Sequence, residues 1–129
     1  MTEPTQRELE RARRELGAAR ALIDSGYPEK TVSSAYCAVF HAAEAALLAL
    51  GEARSKHSGV LSAFGHLVVH QGGFDRETGG VLRRLFERRN DVDYGLEYPA
   101  AEEAAAVLDD AERFVGEVER WIEGRSAPG

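Results

Sequence analysis

The chain has 129 residues, 43% hydrophobic and 29% charged, with a formal net charge of −6 and a pI of about 5.2. This length and composition suit one globular domain with its own core, and they exclude a disordered chain or a scaffold that needs a metal or disulfides. The acidic balance argues against unassisted, non-specific nucleic-acid binding, which requires a basic surface.

Hydrophobic periodicity predicts two helices in the first fifty residues. In the first, apolar residues recur at three- and four-residue steps from Leu9 to Ile23, and Asp24-Ser25-Gly26 ends the pattern. The second covers about residues 29 to 50, with Pro28 in its first turn and Gly51 as a stop. Its apolar residues cover more than one stripe, so we expect it to be the most buried helix.

Three more helical segments follow, and no run of alternating residues predicts a strand. They cover about residues 58–70, ended by Gln71-Gly72-Gly73; about 76–93; and a last helix that starts at Pro99. We expect the tail from Arg125 to Gly129 to be frayed. Four long helices with short connections predict an all-α, antiparallel four-helix bundle with one additional short helix, in a single domain (1–129, core about 5–123).

The fourth helix carries charge on its apolar stripe. Four residues beyond Leu85 the stripe reaches Arg89, and four further on it reaches Asp93. This spacing lets the two side chains meet, and a partly buried guanidinium needs such a partner.

Two interpretations of this pair remain open. The pair could simply pin the end of the bundle, or it could line a polar cleft with Asn90 and Tyr94. In the second case Arg88, together with Arg83 and Arg84, could extend a basic edge that binds phosphate.

The remaining reactive residue types predict no metal or cofactor. His66 and His70 share a helix face, but the glutamate and third ligand of a zinc site are missing from their motif. His41, beside Glu44, is expected to be a satisfied core residue, and Cys37 a buried, inert thiol. The glycine pairs lack the flanking strand and lysine of a phosphate-binding loop.

The termini and hydropathy suggest a cytoplasmic protein. The polar, charged start is unlike a signal peptide. No apolar run approaches the length of about 20 residues that is needed to span a bilayer, so no membrane partner is expected. A single cysteine cannot form an internal disulfide, which favours a reducing compartment.

Several segments resemble, in order, members of the HEPN-domain superfamily. The segments are Ser34–Ala43 with Leu47-Leu48 and Gly51, Ser55–Val60 with Phe64, Arg89–Gly95, and the alanine- and glutamate-rich last helix. The order is similar to that of a compact bacterial and archaeal branch, and the resemblance covers roughly residues 5 to 123.

This resemblance implies a four- to five-helix bundle that forms homodimers. It also implies a minimal nucleotidyltransferase as partner in a toxin–antitoxin-like pair. Active members are metal-independent ribonucleases whose motif is an arginine followed, after four to six residues, by a histidine. The arginine can stabilise phosphate charge while the histidine transfers the proton.

The sequence departs from that ribonuclease motif. Arg89 is followed by Asp93 and Tyr94, and no histidine occurs after His70. A tyrosine with an ordinary pKa near 10 is a poor base at neutral pH. The resemblance therefore favours a binding module for a nucleotide, RNA or partner protein, which contacts phosphate through Arg89, Asn90, Arg88 and Tyr94.

Three alternatives remain beside that interpretation. One is a ribonuclease that uses Arg89 with Asp93 or Tyr94 as its catalytic groups. Another is a structural antitoxin or scaffold in which the alanine-rich helix face makes the contacts. In a third, Tyr94 is nucleotidylated by the transferase, although its spacing in the motif differs from that of relatives modified in this way.

Overall fold

A computed structural model describes residues 1–52, 56–95 and 98–126. Its helices are α1 (Glu3–Asp24), α2 (Pro28–Ala49), α3 (His57–Ala63), a π-helical segment (Phe64–His70), α4 (Arg76–Gly79), α5 (Val81–Asp93) and α6 (Ala101–Ser126). These residues contain no strand, which confirms the all-α prediction. Two earlier predictions fall outside the described residues. They concern Ser55, which starts the second of the segments that resemble HEPN proteins, and residues 127–129 at the end of the tail.

The boundaries of α1 and α2 follow from local signals in the sequence. The Thr2 side chain accepts a hydrogen bond from the backbone N–H of Thr5, a typical N-cap. Gly26 adopts a φ of 87° in the connection to α2, a conformation that glycine tolerates best. Helix α2 agrees with its predicted range to within one residue, whereas α1 begins at Glu3, six residues before the first residue of the predicted apolar pattern.

Helix α2 is the centre of the bundle. It packs against α1, α6 and α5, while α1 and α5 make little contact with each other. Six of its alanines are fully buried, and their small side chains let the neighbouring helices approach closely. Its strip between α1 and α5 is only half-buried: Ser33, Cys37, Phe40, His41 and Glu44.

One expectation from hydropathy was wrong. Among the described residues, α2 is the one helix that is long and apolar enough, by length and composition, to cross a membrane. The alanines give it this hydropathy without a continuous run of large apolar residues. Of its most apolar 18-residue window, 56% is buried inside the protein, and a core helix meets the same criterion.

The third and fourth predicted helices are each divided in two. The segment predicted as 58–70 becomes π-helical from Phe64, and the N–H of Gln71 reaches back five residues to the carbonyl of His66. The fourth is interrupted at Gly80, since adjacent glycines are poor helix formers. Helix α6 begins at Ala101, two residues after the predicted start at Pro99, and it continues through Arg125, which was expected to be frayed. The guanidinium of Arg125 lies 4.8 Å from the centroid of the Trp121 ring.

Candidate functional site

Arg89 and Asp93 lie in the last turns of α5, where α5 meets the half-buried strip of α2. The Nε of Arg89 donates a hydrogen bond of 2.9 Å to Oδ2 of Asp93, as the spacing of four residues predicted. The hydroxyl of Ser33 donates to the other oxygen, Oδ1, at 3.3 Å. Asp93 therefore links α5 to α2 and fixes one edge of the guanidinium.

An aromatic ring supports the face of the same guanidinium. The Cζ of Arg89 lies 5.1 Å from the ring centroid of Tyr36, within the range of a cation–π contact. Tyr36 is fully buried, and its ring packs against Phe40 and Phe86 at centroid distances of 6.0 and 5.8 Å. The hydrogen bond to Asp93 raises the pKa of Arg89 above its ordinary value, so the side chain stays charged.

The outer end of the guanidinium makes no hydrogen bond to the residues that the structure describes. The side chain of Arg89 remains 30% exposed, and within the described residues neither Nη group has a hydrogen-bond acceptor. Two parallel N–H donors at the end of a fixed arginine match the oxygens of a phosphate or carboxylate. The arrangement can therefore hold an anion without first having to order the arginine.

Tyr36 and Cys37, two groups beside Arg89, are poor candidates for proton transfer at neutral pH. Burial raises the pKa of Tyr36 to about 12, although the charge of Arg89 acts in the opposite direction. Burial, followed by the charge of Glu15, also raises the pKa of the Cys37 thiol. Neither residue supplies a base or a thiolate nucleophile at pH 7.

The structure separates some of the residues that the sequence grouped together. Asn90 is half-buried on the next position of α5, but Tyr94 is the C-cap of this helix, 81% exposed, and no described contact joins it to Arg89. Arg88 does not extend a basic edge, because its guanidinium forms a two-point ion pair with Glu103 of α6. Nη2 of Arg88 lies 3.0 Å from Oε1 of Glu103.

Two of the histidines lie as expected, and a third differs from expectation. His66 and His70 stack with their ring centroids 6.3 Å apart on the exposed side of the π-helical segment. His41 is satisfied but is not in the core: its side chain is 25% exposed, and Nδ1 lies 2.8 Å from Oε2 of Glu8 and 3.7 Å from Oε1 of Glu44. Burial and the neighbouring Glu8 raise the pKa of Glu44.

Sequence reasoning missed two members of these clusters for the same reason. Tyr36 and Glu8 lie 53 and 33 residues from the side chains they contact, Arg89 and His41. The apolar stripe of α2 did indicate that Tyr36 is buried. No periodic signal within one helix could show which charge would lie above it.

The chain matches the HEPN domain family over residues 5–121. It is 32% identical over 120 residues to a Methanocaldococcus jannaschii protein named a putative toxin, covering 93% of this chain and 90% of that one. It is 38% identical over 114 residues to a UPF0332 protein of Thermotoga maritima (88% and 86%) and 34% identical to one of Archaeoglobus fulgidus (75% and 78%). These matches and the all-helical fold establish that the chain belongs to the HEPN domain family.

Proposed function

We propose that this protein is a HEPN-type binding module that holds a phosphate group of a nucleotide or of single-stranded RNA on Arg89. The observation that carries the proposal is the state of this guanidinium. Its Nε is fixed by Asp93 and its face by Tyr36, while both Nη groups lack an acceptor among the described residues. A charged donor held in this way loses little conformational entropy when an anion binds.

The chemistry around Arg89 favours binding over catalysis. Metal-free RNA cleavage needs a group that moves a proton at neutral pH, and the pKa values of Tyr36 and Cys37 are raised. Tyr94 lies beyond the helix end without a described contact to Arg89. The module is therefore proposed to recognise its ligand without cleaving it.

The proposed setting is a cytoplasmic toxin–antitoxin-like pair. One relative carries the name of a putative toxin. A minimal nucleotidyltransferase as partner and a homodimeric state are part of the proposal. In such a pair, the half-buried strip of α2 between α1 and α5 would face the partner protein. Arg89 lies at the edge of this strip.

Fluorescence anisotropy with a labelled single-stranded RNA, and calorimetry with ATP, test this function on the full chain. Arg89→Ala should weaken binding about tenfold or more, because it removes charge-assisted hydrogen bonds. Arg113→Ala, which removes an exposed arginine of α6, is the matched control and should stay within about twofold. With one phosphate contact, the slope of log K against log salt should be shallow, about −0.7 for a single strand.

Other outcomes distinguish the alternatives. Equal affinities of wild type and a folded Arg89→Ala variant would exclude Arg89 as the contact. RNA cleavage in EDTA that disappears in Arg89→Ala would support the ribonuclease instead. A homodimer that binds neither probe would support the scaffold.

A further inference from the structure

A cavity lies beside the N-terminal half of α5. It measures about 410 Å³ and opens between α3, the π-helical segment, α4 and the first turns of α5. Its floor is apolar: Leu61, Phe64, Val69 and Leu82. This volume lies within the range of cavities that bind small organic molecules, and its floor suits the apolar part of such a ligand.

Three arginines line the rim of this cavity. They are Arg76, Arg83 and Arg84, all exposed, and none of them forms an ion pair with another residue that the structure describes. One carboxylate, Glu87, lines the same cavity. Three guanidinium groups against one carboxylate give a local positive charge on a protein whose net charge is −6. Because unpaired like charges repel each other, a bound anion would relieve the repulsion among these arginines. The local charge therefore indicates an anionic ligand.

Two glycines shape the floor and the rim. A Cβ on Gly79 would lie 2.7 Å from Cγ2 of Val69, so a side chain here would displace the floor. A Cβ on Gly80 would lie 3.1 Å from Nη1 of Arg84. The guanidinium of Arg84 therefore lies against the backbone of Gly80, at a place where only glycine leaves full room.

The π-helical segment supplies a further part of the wall through Phe64, Gly65 and Val69. π-Helical turns are rare, and they often occur at functional sites. In this chain the π-helical segment lies where the apolar floor of the cavity meets the three arginines.

We propose that this cavity binds a small organic phosphate, with the phosphate group on the arginines and an aromatic or aliphatic group on the apolar floor. Arginine forks bind phosphate oxygens in a bidentate manner, and three such groups around one opening favour a dianion over a single carboxylate. The site is separate from the proposed Arg89 site. Arg84 and Arg89 are five residues apart, about 7.5 Å along the helix axis and about 140° around it.

Calorimetry on the full chain with phenyl phosphate, inorganic phosphate and phenol tests the two halves of the site. Phenyl phosphate should bind at least about tenfold more tightly than either fragment, because it alone uses both arginines and floor. Arg84→Gln and Arg83→Gln should each weaken it about tenfold or more. Arg113→Gln removes the same charge elsewhere and should leave the affinity unchanged.

A Gly80→Ala variant separates binding from folding. The φ of Gly80 is −66°, which alanine adopts readily, although its Cβ would also lie 3.3 Å from the backbone carbonyl oxygen of Glu77. The thermal midpoint of the variant is therefore measured beside its affinity. The added methyl group should displace Arg84 and lower the affinity for phenyl phosphate several-fold. The proposal is overturned if no saturable binding occurs below about 10 mM phenyl phosphate. It is equally overturned if inorganic phosphate binds as tightly, or if the Arg83 and Arg84 variants keep full affinity.

Discussion

Arg88 and Arg89 are neighbours in the sequence, yet their guanidinium groups have opposite environments. Arg88 reaches α6, where Nε and Nη2 engage both oxygens of Glu103, and its side chain is 19% exposed. Arg89 reaches α2, where it lies on the ring of Tyr36 and uses only Nε to contact Asp93. Its side chain is 30% exposed.

Arg88 thus stabilises the fold, whereas Arg89 is the arginine that we propose binds a ligand. A two-point pair between helices orders both partners and occupies the fork, which leaves Arg88 little capacity for an external phosphate. A one-point contact within a single helix fixes the position of Arg89 and leaves the fork open. Three experiments on the residues around these two arginines test this distinction.

The largest expected effect on stability comes from replacing Tyr36, whose ring lies beneath the guanidinium of Arg89. Tyr36→Ala removes a fully buried ring that packs against Phe40 and Phe86, and should lower the free energy of unfolding by about 3–5 kcal/mol. Urea denaturation measures this loss. Tyr94→Ala is the matched control, because Tyr94 is 81% exposed and should change stability by less than about 0.5 kcal/mol.

The two tyrosine variants also test which tyrosine is packed beneath α5. If Tyr36→Ala is too unstable to measure, Tyr36→Leu retains most of the buried volume and still removes the aromatic face. Comparable losses from the Tyr36 and Tyr94 variants would contradict the assignment of Tyr36 as the residue that supports Arg89.

A smaller effect is expected from removing the acidic partners of the two arginines. Glu103→Ala should cost about 1–2 kcal/mol, because it leaves the largely buried Arg88 without its two-point acceptor. Asp93→Ala should cost about 0.5 kcal/mol, since it breaks a part-exposed pair within one helix. Thermal or urea unfolding of both variants gives the order, and a larger loss for Asp93→Ala would reverse the proposed roles.

The features that depend on neighbours in sequence could be predicted. Periodicity and stop signals predicted the end of α1 and both ends of α2, and the spacing predicted the pairing of Arg89 with Asp93. The family resemblance, which rests on ordered short segments, was confirmed by the match over residues 5–121.

The features that depend on tertiary contacts could not be predicted. The sequence placed Arg88 at the candidate site, whereas its partner Glu103 comes from a helix whose rotation no local pattern fixes. The change to a π-helix at Phe64 likewise has no local signal, because it accommodates contacts made around the whole turn. Whether Arg89 binds phosphate remains a prediction, which the proposed variants test.

The smallest expected effect concerns Cys37, which senses the charge of Arg89 but not that of Arg88. Burial and Glu15 raise the pKa of this thiol, while Arg89 lowers it. Alkylation by iodoacetamide, followed from pH 7 to 10, should therefore show a midpoint above that of the unfolded chain. Since a raised thiol pKa means that the folded state holds its proton more tightly, stability contributed by Cys37 should fall as the pH rises above 9.

Variants of the two arginines test which charge shifts the pKa of Cys37. Arg89→Ala removes the charge that favours the thiolate, so the midpoint should move to still higher pH and alkylation at pH 8 should slow. Arg88→Ala, which removes an equal charge directed at α6, should leave the midpoint unchanged. A midpoint that moves equally in both variants would mean that Cys37 responds to net charge alone, and the distinction between the two arginines would lose its electrostatic support.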